Sequence, residues 1–252
     1  MPLTNNRGTS NSRPSSLHVV TGKIMYSRKA TEEGWLKVKL DNGNFDFLHE
    51  NVKLIVKGEK NARLYLLVAS DKSNLIGQTI SLQQENALKY LSSKGPMQKS
   101  ASIKVEYVGK PVKTTSRFKG DLIQQFANLY VNGSIIKVTL NSLWPPKYSY
   151  SPIPAGVHKL MSPDNSHAKN APTDWYRKAF SPGVITCNDI WFPIELNGEG
   201  GNSSRYIHLG NLSEGCVTVY DVEKWNVVYD YLINHRIPGT KGMYVGEITV
   251  VT

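Results

Sequence analysis

The fold of this chain is organised around the stretch Tyr206-Ile207-His208-Leu209-Gly210-Asn211-Leu212-Ser213-Glu214-Gly215-Cys216-Val217-Thr218. Apolar residues stand at both ends of the stretch, and two glycines lie between them. This pattern predicts a strand, a tight loop and a second strand. Glycine lets the backbone turn sharply and approach another group closely. In such a loop, His208 and Cys216 can face each other.

The two residues suit nucleophilic catalysis by a thiol. Such a thiol needs a base to accept its proton and polar backbone groups to hold the oxyanion of its intermediate. Cys216 is the candidate nucleophile and His208 the candidate base, while Ser213 and Gly215 lie in the loop that shapes the site. The spacing alone leaves another interpretation open, in which the cysteine is a small buried hydrophobe and the histidine is structural.

The stretch resembles the active-site signature of the L,D-transpeptidase catalytic domain family. That signature is a His-Gly element followed by Ser-His-Gly-Cys and an apolar residue. His208 corresponds to the first part, and the Ser-x-Gly-Cys of residues 213–216 to the second. Glu214 replaces the usual second histidine, and Thr218 stands where arginine is common. The short gap from histidine to cysteine is similar to compact relatives found in phages and in antibacterial secretion effectors.

The resemblance covers roughly residues 120–252. It implies a mainly β fold, with an L,D-transpeptidase-like β-sandwich and a short helix after the cysteine, here starting at Asp221 and running to about His235. Residues 152–160 resemble the turn and strand that precede the active site in this family. The implied activity is acyl transfer on the stem peptides of peptidoglycan, with no cofactor, as transpeptidation, carboxypeptidase cleavage or exchange of a D-amino acid. The implied partners are peptidoglycan and a secretion-machine component or an immunity protein.

The candidate substrate-binding residues fall into two groups. Four lie in or beside the signature, and two lie in the long polar segment 161–183, which is of a length usually found in functional loops. They are Tyr206, Gly210, Asn211, Glu214, His167 and Trp175.

The preceding part of the chain is predicted to be a separate small β module. Residues 1–17 are polar and predict a flexible tail, and residues 18–119 alternate in the manner of strands. Asn42-Gly43 predicts a hairpin, and residues 81–92 predict a short helix. We place the boundary with the catalytic domain between residues 119 and 120, and Asn132-Gly133 predicts a hairpin just beyond it.

Composition limits the classes of function. The formal net charge is +10 at pH 7, which favours a polyanionic partner. The Lys and Arg residues are spread along the chain, so we expect no specific nucleic-acid partner. The two cysteines do not form a Cys-x-x-Cys pair, so we predict no metal site, and whether Cys187 pairs with Cys216 stays open. The sequence has no predicted transmembrane segment and no predicted signal peptide. We therefore expect synthesis in the cytoplasm, and the substrate implied by the resemblance adds export to the periplasm or cell wall.

Two other functions remain open at this stage. The chain can be a non-catalytic wall-binding or phage structural module that keeps the same fold. It can also be a cysteine hydrolase of another amide, such as a protein.

Overall fold

The structure is a computed structural model, and it describes residues 19–71, 74–116, 119–143 and 151–252. It is mainly β, with 43% strand and 11% helix. The strands form two units, a seven-stranded sheet and an eight-stranded barrel with one additional strand. The prediction of a mainly β protein is confirmed. The tail predicted for residues 1–17 lies outside the described residues.

The first sheet is antiparallel and is built from residues 24–92. Its strands are β1 (Ile24–Ser27), β2 (Leu36–Leu40), β3 (Phe45–Leu48), β4 (Lys53–Lys60), β5 (Arg63–Val68), β6 (Thr79–Gln83) and β7 (Leu91–Ser92). Their order across the sheet is β3-β2-β6-β5-β4-β1-β7. Alternate residues such as Leu36, Val38, Leu64 and Leu66 are buried, and they build a core of their own on one face.

Two local predictions in this part of the chain have clear outcomes. Gly43 has a φ of +89° in the turn that joins β2 to β3, so the predicted hairpin is confirmed. The helix predicted over residues 81–92 is shorter in the structure, where α1 spans Gln84–Tyr90. The predicted residues on either side of α1 belong to the strands β6 and β7. Those residues pair with neighbouring strands, which outweighs their local helical preference.

The second unit contains the remaining strands. They are β8 (Ala101–Tyr107), β9 (Val112–Ser116), β10 (Gly120–Val131), β11 (Ser134–Leu143), β12 (Gly156–Met161), β13 (Phe192–Glu195), β14 (Arg205–Leu209), β15 (Val217–Val219) and β16 (Tyr244–Val251). A short helix α2 (Asp174–Lys178) lies between β12 and β13, and α3 (Trp225–Ile233) between β15 and β16.

The pairing of these strands closes on itself. The order is β11-β15-β14-β13-β12-β16-β8-β10, and β10 pairs back with β11, while β9 pairs with the far end of β10. The β-sandwich expected for this half is not confirmed, because the strands form a barrel. The hairpin predicted at Asn132-Gly133 joins β10 and β11, and both turn residues have positive φ as that turn type requires.

The sheets divide earlier in the chain than predicted. Strands β8 and β9 fall within the stretch 18–119 that was expected to form the first module, yet both pair with strands of the barrel. The division therefore lies between Ser92 and Ala101, and the boundary placed between residues 119 and 120 does not coincide with it. Alternation identified β8 as a strand but carried no information about its partner.

The helix after the cysteine is also shorter than predicted. Residues 222–224 form a 3-10 turn, and α3 begins at Trp225. Asp221 does not cap this helix through its side chain; its Oδ2 accepts the backbone N–H of Lys137 on β11 at 3.0 Å instead. The apolar residues of this helix, Trp225, Val228, Tyr229 and Leu232, are fully buried against the barrel.

Buried polar contacts join the two units. Trp35 lies in the core of the barrel unit and donates its indole N–H to Asp189 at 2.8 Å. Arg236 forms an ion pair with Asp71, and both side chains are almost fully buried. His49 is buried beside this pair, and its Nε2 lies 3.0 Å from the Asp71 carbonyl oxygen.

Candidate functional site

The candidate site lies on one face of two neighbouring barrel strands. Strands β14 and β15 are parallel, with Ile207 opposite Val217 and His208 opposite Thr218. The same register places Tyr206 opposite Cys216. Side chains alternate along a strand, so Ile207 and Val217 point into the core, and Tyr206, His208, Cys216 and Thr218 share the other face.

Cys216 is a free, buried thiol, with 8% of the residue exposed. The pKa of this thiol is raised to about 11, mainly by burial and to a smaller extent by the nearby charge of Glu214. A hydrogen bond with the backbone of Tyr206 and the charge of Arg205 act in the opposite direction on the same pKa. At neutral pH the thiol is therefore protonated in this structure.

His208 is held in one tautomer. Its Nδ1 lies 2.9 Å from the Leu209 carbonyl oxygen, which can only accept, so Nδ1 carries the proton. Its Nε2 is then the basic nitrogen, and it lies 3.2 Å from the hydroxyl of Thr218. Burial lowers the pKa of His208 to about 4, and the charge of nearby His167 acts in the same direction. The imidazole is neutral at pH 7.

The structure brings Cys216 and His208 onto one face without a direct hydrogen bond between them among the described residues. They are diagonal neighbours on adjacent strands, a relation that side chains can span. The immediate partner of His208 is Thr218, whose hydroxyl can both accept and donate a proton. Proton transfer from the thiol to His208 requires Nε2 to exchange its contact with Thr218 for one with Cys216.

The loop between the strands is fixed by Ser213. Its hydroxyl donates to the Cys216 carbonyl at 2.7 Å and accepts the Gly215 N–H at 3.2 Å. Gly215 has a φ of +97°, and a Cβ there would lie 2.6 Å from the Ser151 carbonyl oxygen, so the position requires glycine. Ser213 thus holds the loop backbone rather than His208, and the Gly215 N–H is already used in this structure. Glu214 is exposed to solvent.

The other end of the loop is held by Tyr176, from α2. The Tyr176 hydroxyl accepts the Asn211 N–H at 2.7 Å. A Cβ on Gly210 would lie 3.5 Å from the same hydroxyl and 3.1 Å from the Thr218 methyl group, so this part of the loop is closely packed. The rings of Trp175 and Tyr176 are in contact, with centroids 3.6 Å apart and planes tilted by 31°, and Trp175 packs against the core. Its described contacts therefore support α2 rather than the thiol.

A stack of three rings extends the site. Trp191, just before β13, lies between two histidines, with ring centroids 3.9 Å from His208 and 4.3 Å from His167, both nearly parallel. His167 Nε2 lies 3.1 Å from Asp164, and the Tyr206 ring meets His167 edge-on at 4.8 Å. The hydrogen bond to His167 lowers the pKa of Asp164, although burial opposes this. Tyr206 and His167, both predicted substrate contacts, are thus beside the candidate nucleophile and base.

Three residues of the site were not predicted: Trp191, Asp164 and Arg205. Two of them come from segments whose contact with β14 is long-range. Arg205 is the exception, because it lies one strand position before Tyr206 and faces Gly215, with Nε buried and without a hydrogen-bond partner. The sequence did indicate its position, because it directly precedes the stretch 206–218.

Three further observations bear on the predictions. Cys187 and Cys216 are both free thiols, so the pairing that was left open is absent. Within the described ranges, no group of three or more His, Cys, Asp or Glu side chains is arranged to hold a metal ion. In the same part of the chain, no helix is long and apolar enough to cross a membrane.

Comparison of the chain with protein-family models, curated proteins and solved structures found no match.

Proposed function

We propose that this protein is a cysteine acyl-transfer enzyme that acts on the stem peptides of peptidoglycan. The observation that carries the proposal is the parallel register of β14 and β15, which puts the thiol of Cys216 and the basic Nε2 of His208 on one face. The resemblance of residues 206–218 to the L,D-transpeptidase signature supports the substrate class. An L,D-transpeptidase-like arrangement of this half belongs to the same proposal, as does export to the wall.

The chemistry follows from the protonation states. The thiol and the imidazole are both neutral at rest, so His208 acts as a general base during attack rather than as one half of a preformed ion pair. The sulfur attacks the peptide carbonyl while its proton passes to Nε2. The amine leaves with that proton, and a thioester remains on Cys216. A second amine or water then attacks the thioester and restores the thiol.

The surroundings support this sequence of steps. Binding of a peptide beside Arg205 brings a fixed positive charge close to the developing oxyanion and thiolate, which stabilises both. Gly215 lets the Ser151 carbonyl and the Arg205 guanidinium pack closely against the backbone next to the thiol. The stacked rings of His208, Trp191 and His167 provide a rigid wall for the substrate.

A second candidate, a non-catalytic wall-binding module on the same fold, is favoured by one observation. The Gly215 N–H donates to Ser213, and the Nε2 of His208 is paired with Thr218, so two groups that catalysis would use are occupied. Substrate binding has to displace these contacts if the protein is an enzyme.

The test is mass spectrometry of muropeptides with tetrapeptide stems after incubation with the protein. We expect loss or exchange of the terminal D-alanine, or a cross-linked dimer, with the native protein and with Cys187→Ala as the matched control for cysteine. We expect no product with Cys216→Ala, and a folded protein by circular dichroism. Turnover of peptides without D-amino acids would point instead to a hydrolase of another amide. Equal turnover by Cys216→Ala would remove the nucleophile from the proposal.

A further inference from the structure

The face of the first sheet that points away from its core carries cations and aromatic rings. Most residues that alternate with the buried ones on β2, β3 and β5 are cationic or aromatic. We call these the aromatic-cationic face: Lys37, Lys39, Phe45, Phe47, Arg63 and Tyr65. This face belongs to the half of the chain that contributes no residue to the proposed catalytic site.

The strand register makes this face continuous. Lys39 pairs with Phe45 on one side and with Ser81 on the other, and Ser81 pairs with Tyr65. Neighbouring strands are about 4.8 Å apart, so this row extends for roughly 15 Å across the sheet. Lys37 pairs with Phe47 in the next row. The side chains therefore form one surface rather than scattered positions.

Carboxylates next to this surface belong to the opposite side of the sheet. Asp46 pairs with the buried Val38, and Glu59 pairs with the buried Leu64. Lys60 pairs with Arg63 and adds a further cation to the edge of the face. Among the described outward positions of β2 to β6 no acidic side chain is present, so the face has an unbalanced positive charge.

The aromatic rings are unusually open for apolar groups. Phe45 is 58% exposed and Phe47 is 42% exposed, both on the edge strand β3. Lys37 Nζ lies 4.2 Å from the centroid of the Phe45 ring, so cation and ring are presented together. Adjacent exposed rings are costly to leave in water, and such clusters mark interaction surfaces. Isolated exposed apolar residues would carry no such meaning.

We propose that the aromatic-cationic face binds peptidoglycan strands and holds them near the site on the barrel. This inference rests on the proposed function for its choice of partner. Peptidoglycan carries carboxylates on its stem peptides, which match the lysines and Arg63. The C–H faces of its sugar rings match Phe45, Phe47 and Tyr65. A chain whose thiol acts on stem peptides gains local substrate concentration when a second surface holds the same polymer.

The experiment is cosedimentation of the full chain with insoluble peptidoglycan, using Cys216→Ala throughout so that no turnover changes the polymer. Lys37→Gln combined with Lys39→Gln should weaken binding about tenfold, because two cations facing a polyanion are lost. Phe45→Ser combined with Phe47→Ser should weaken it to a similar degree. The matched control is Lys110→Gln with Lys113→Gln, which removes two exposed charges from the barrel half and should leave binding within about twofold. Thermal unfolding of each variant checks the fold.

The outcomes separate this inference from the proposed function. Unchanged binding by both double variants of the face would overturn the inference, whatever the muropeptide assay gives. Equally tight binding of a single-stranded oligonucleotide, lost with the same substitutions, would also overturn it by assigning the face to nucleic acid. Binding that depends on the face, together with no muropeptide product from the native protein, would uphold the inference and reject the enzyme.

Discussion

Replacing Asp71 with asparagine should destabilise the whole chain. The Asp71 carboxylate is the ionic partner of Arg236 across the junction of the sheet and the barrel, and the two side chains are only 3% and 2% exposed. The guanidinium also donates to the carbonyls of Ile233 and His235, and its Nη2 has no hydrogen-bond partner. Removing the carboxylate therefore leaves a buried charge that the remaining dipoles do not neutralise.

The magnitude follows from this burial. Breaking a buried ion pair by removing one partner costs about 3–5 kcal/mol, since the remaining charge keeps its desolvation penalty. The measurement is urea denaturation at pH 7, followed by far-ultraviolet circular dichroism and by tryptophan fluorescence. The two probes should report one transition, because the pair links both units of the fold.

The matched control is Glu106→Gln, which breaks the solvent-exposed ion pair with Lys104 and should leave the midpoint unchanged. Arg236→Met in the Asp71→Asn background should cost less than the sum of the single changes by about 2 kcal/mol. A loss below about 1 kcal/mol for Asp71→Asn would refute the reasoning, because it would mean that water reaches Arg236 and screens its charge.

Three further predictions concern titration and the loop. Alkylation of Cys216 by iodoacetamide should accelerate about tenfold per pH unit up to pH 11. Cys187, which is 0% exposed against 8% for Cys216, should stay unmodified. An alkylation rate that is constant above pH 7 would contradict the raised pKa of Cys216. Burial lowers the pKa of His49 to about 4. The neutral His49 therefore contributes about 3 kcal/mol to the stability of the fold above pH 6.5, and this contribution is lost as the pH falls towards 4. Denaturation midpoints measured across this pH range should fall less for His49→Asn than for the native protein. Tyr176→Phe leaves the Asn211 N–H without its acceptor and should cost about 1 kcal/mol, together with slower product formation; unchanged rates would show that the loop is held by other contacts.

Local features of the fold were readable from the sequence. The hairpins at Gly43 and Asn132 depend on φ values that few residues adopt, so their signals are strong. The alternation of apolar and polar residues from Leu36 onward identified a half-buried strand, because successive side chains of a strand point to opposite faces. These properties depend on residues that are neighbours along the chain.

Long-range pairing was not readable. Nothing in the alternation of β8 indicates that it joins β16 and β10, and the barrel closes through that choice. The same limit applies at the candidate site. His208 and Cys216 were predicted to face each other because they lie in one loop, whereas Trp191 and Tyr176 come from distant segments that pack beside them. The protonation states of the two residues depend on burial, which the sequence does not specify.

The position of β8 decides how this chain can be divided. A fragment that begins at Gly120 lacks β8, so one edge of β16 and part of one edge of β10 lose their hydrogen-bond partners. Open edges of this kind pair with other chains and lead to aggregation. A cut before Ala101 keeps the strand pairing of the barrel complete, but it still removes Trp35 and Asp71. Any fusion protein that carries the barrel therefore has to include β8 and to replace these two contacts.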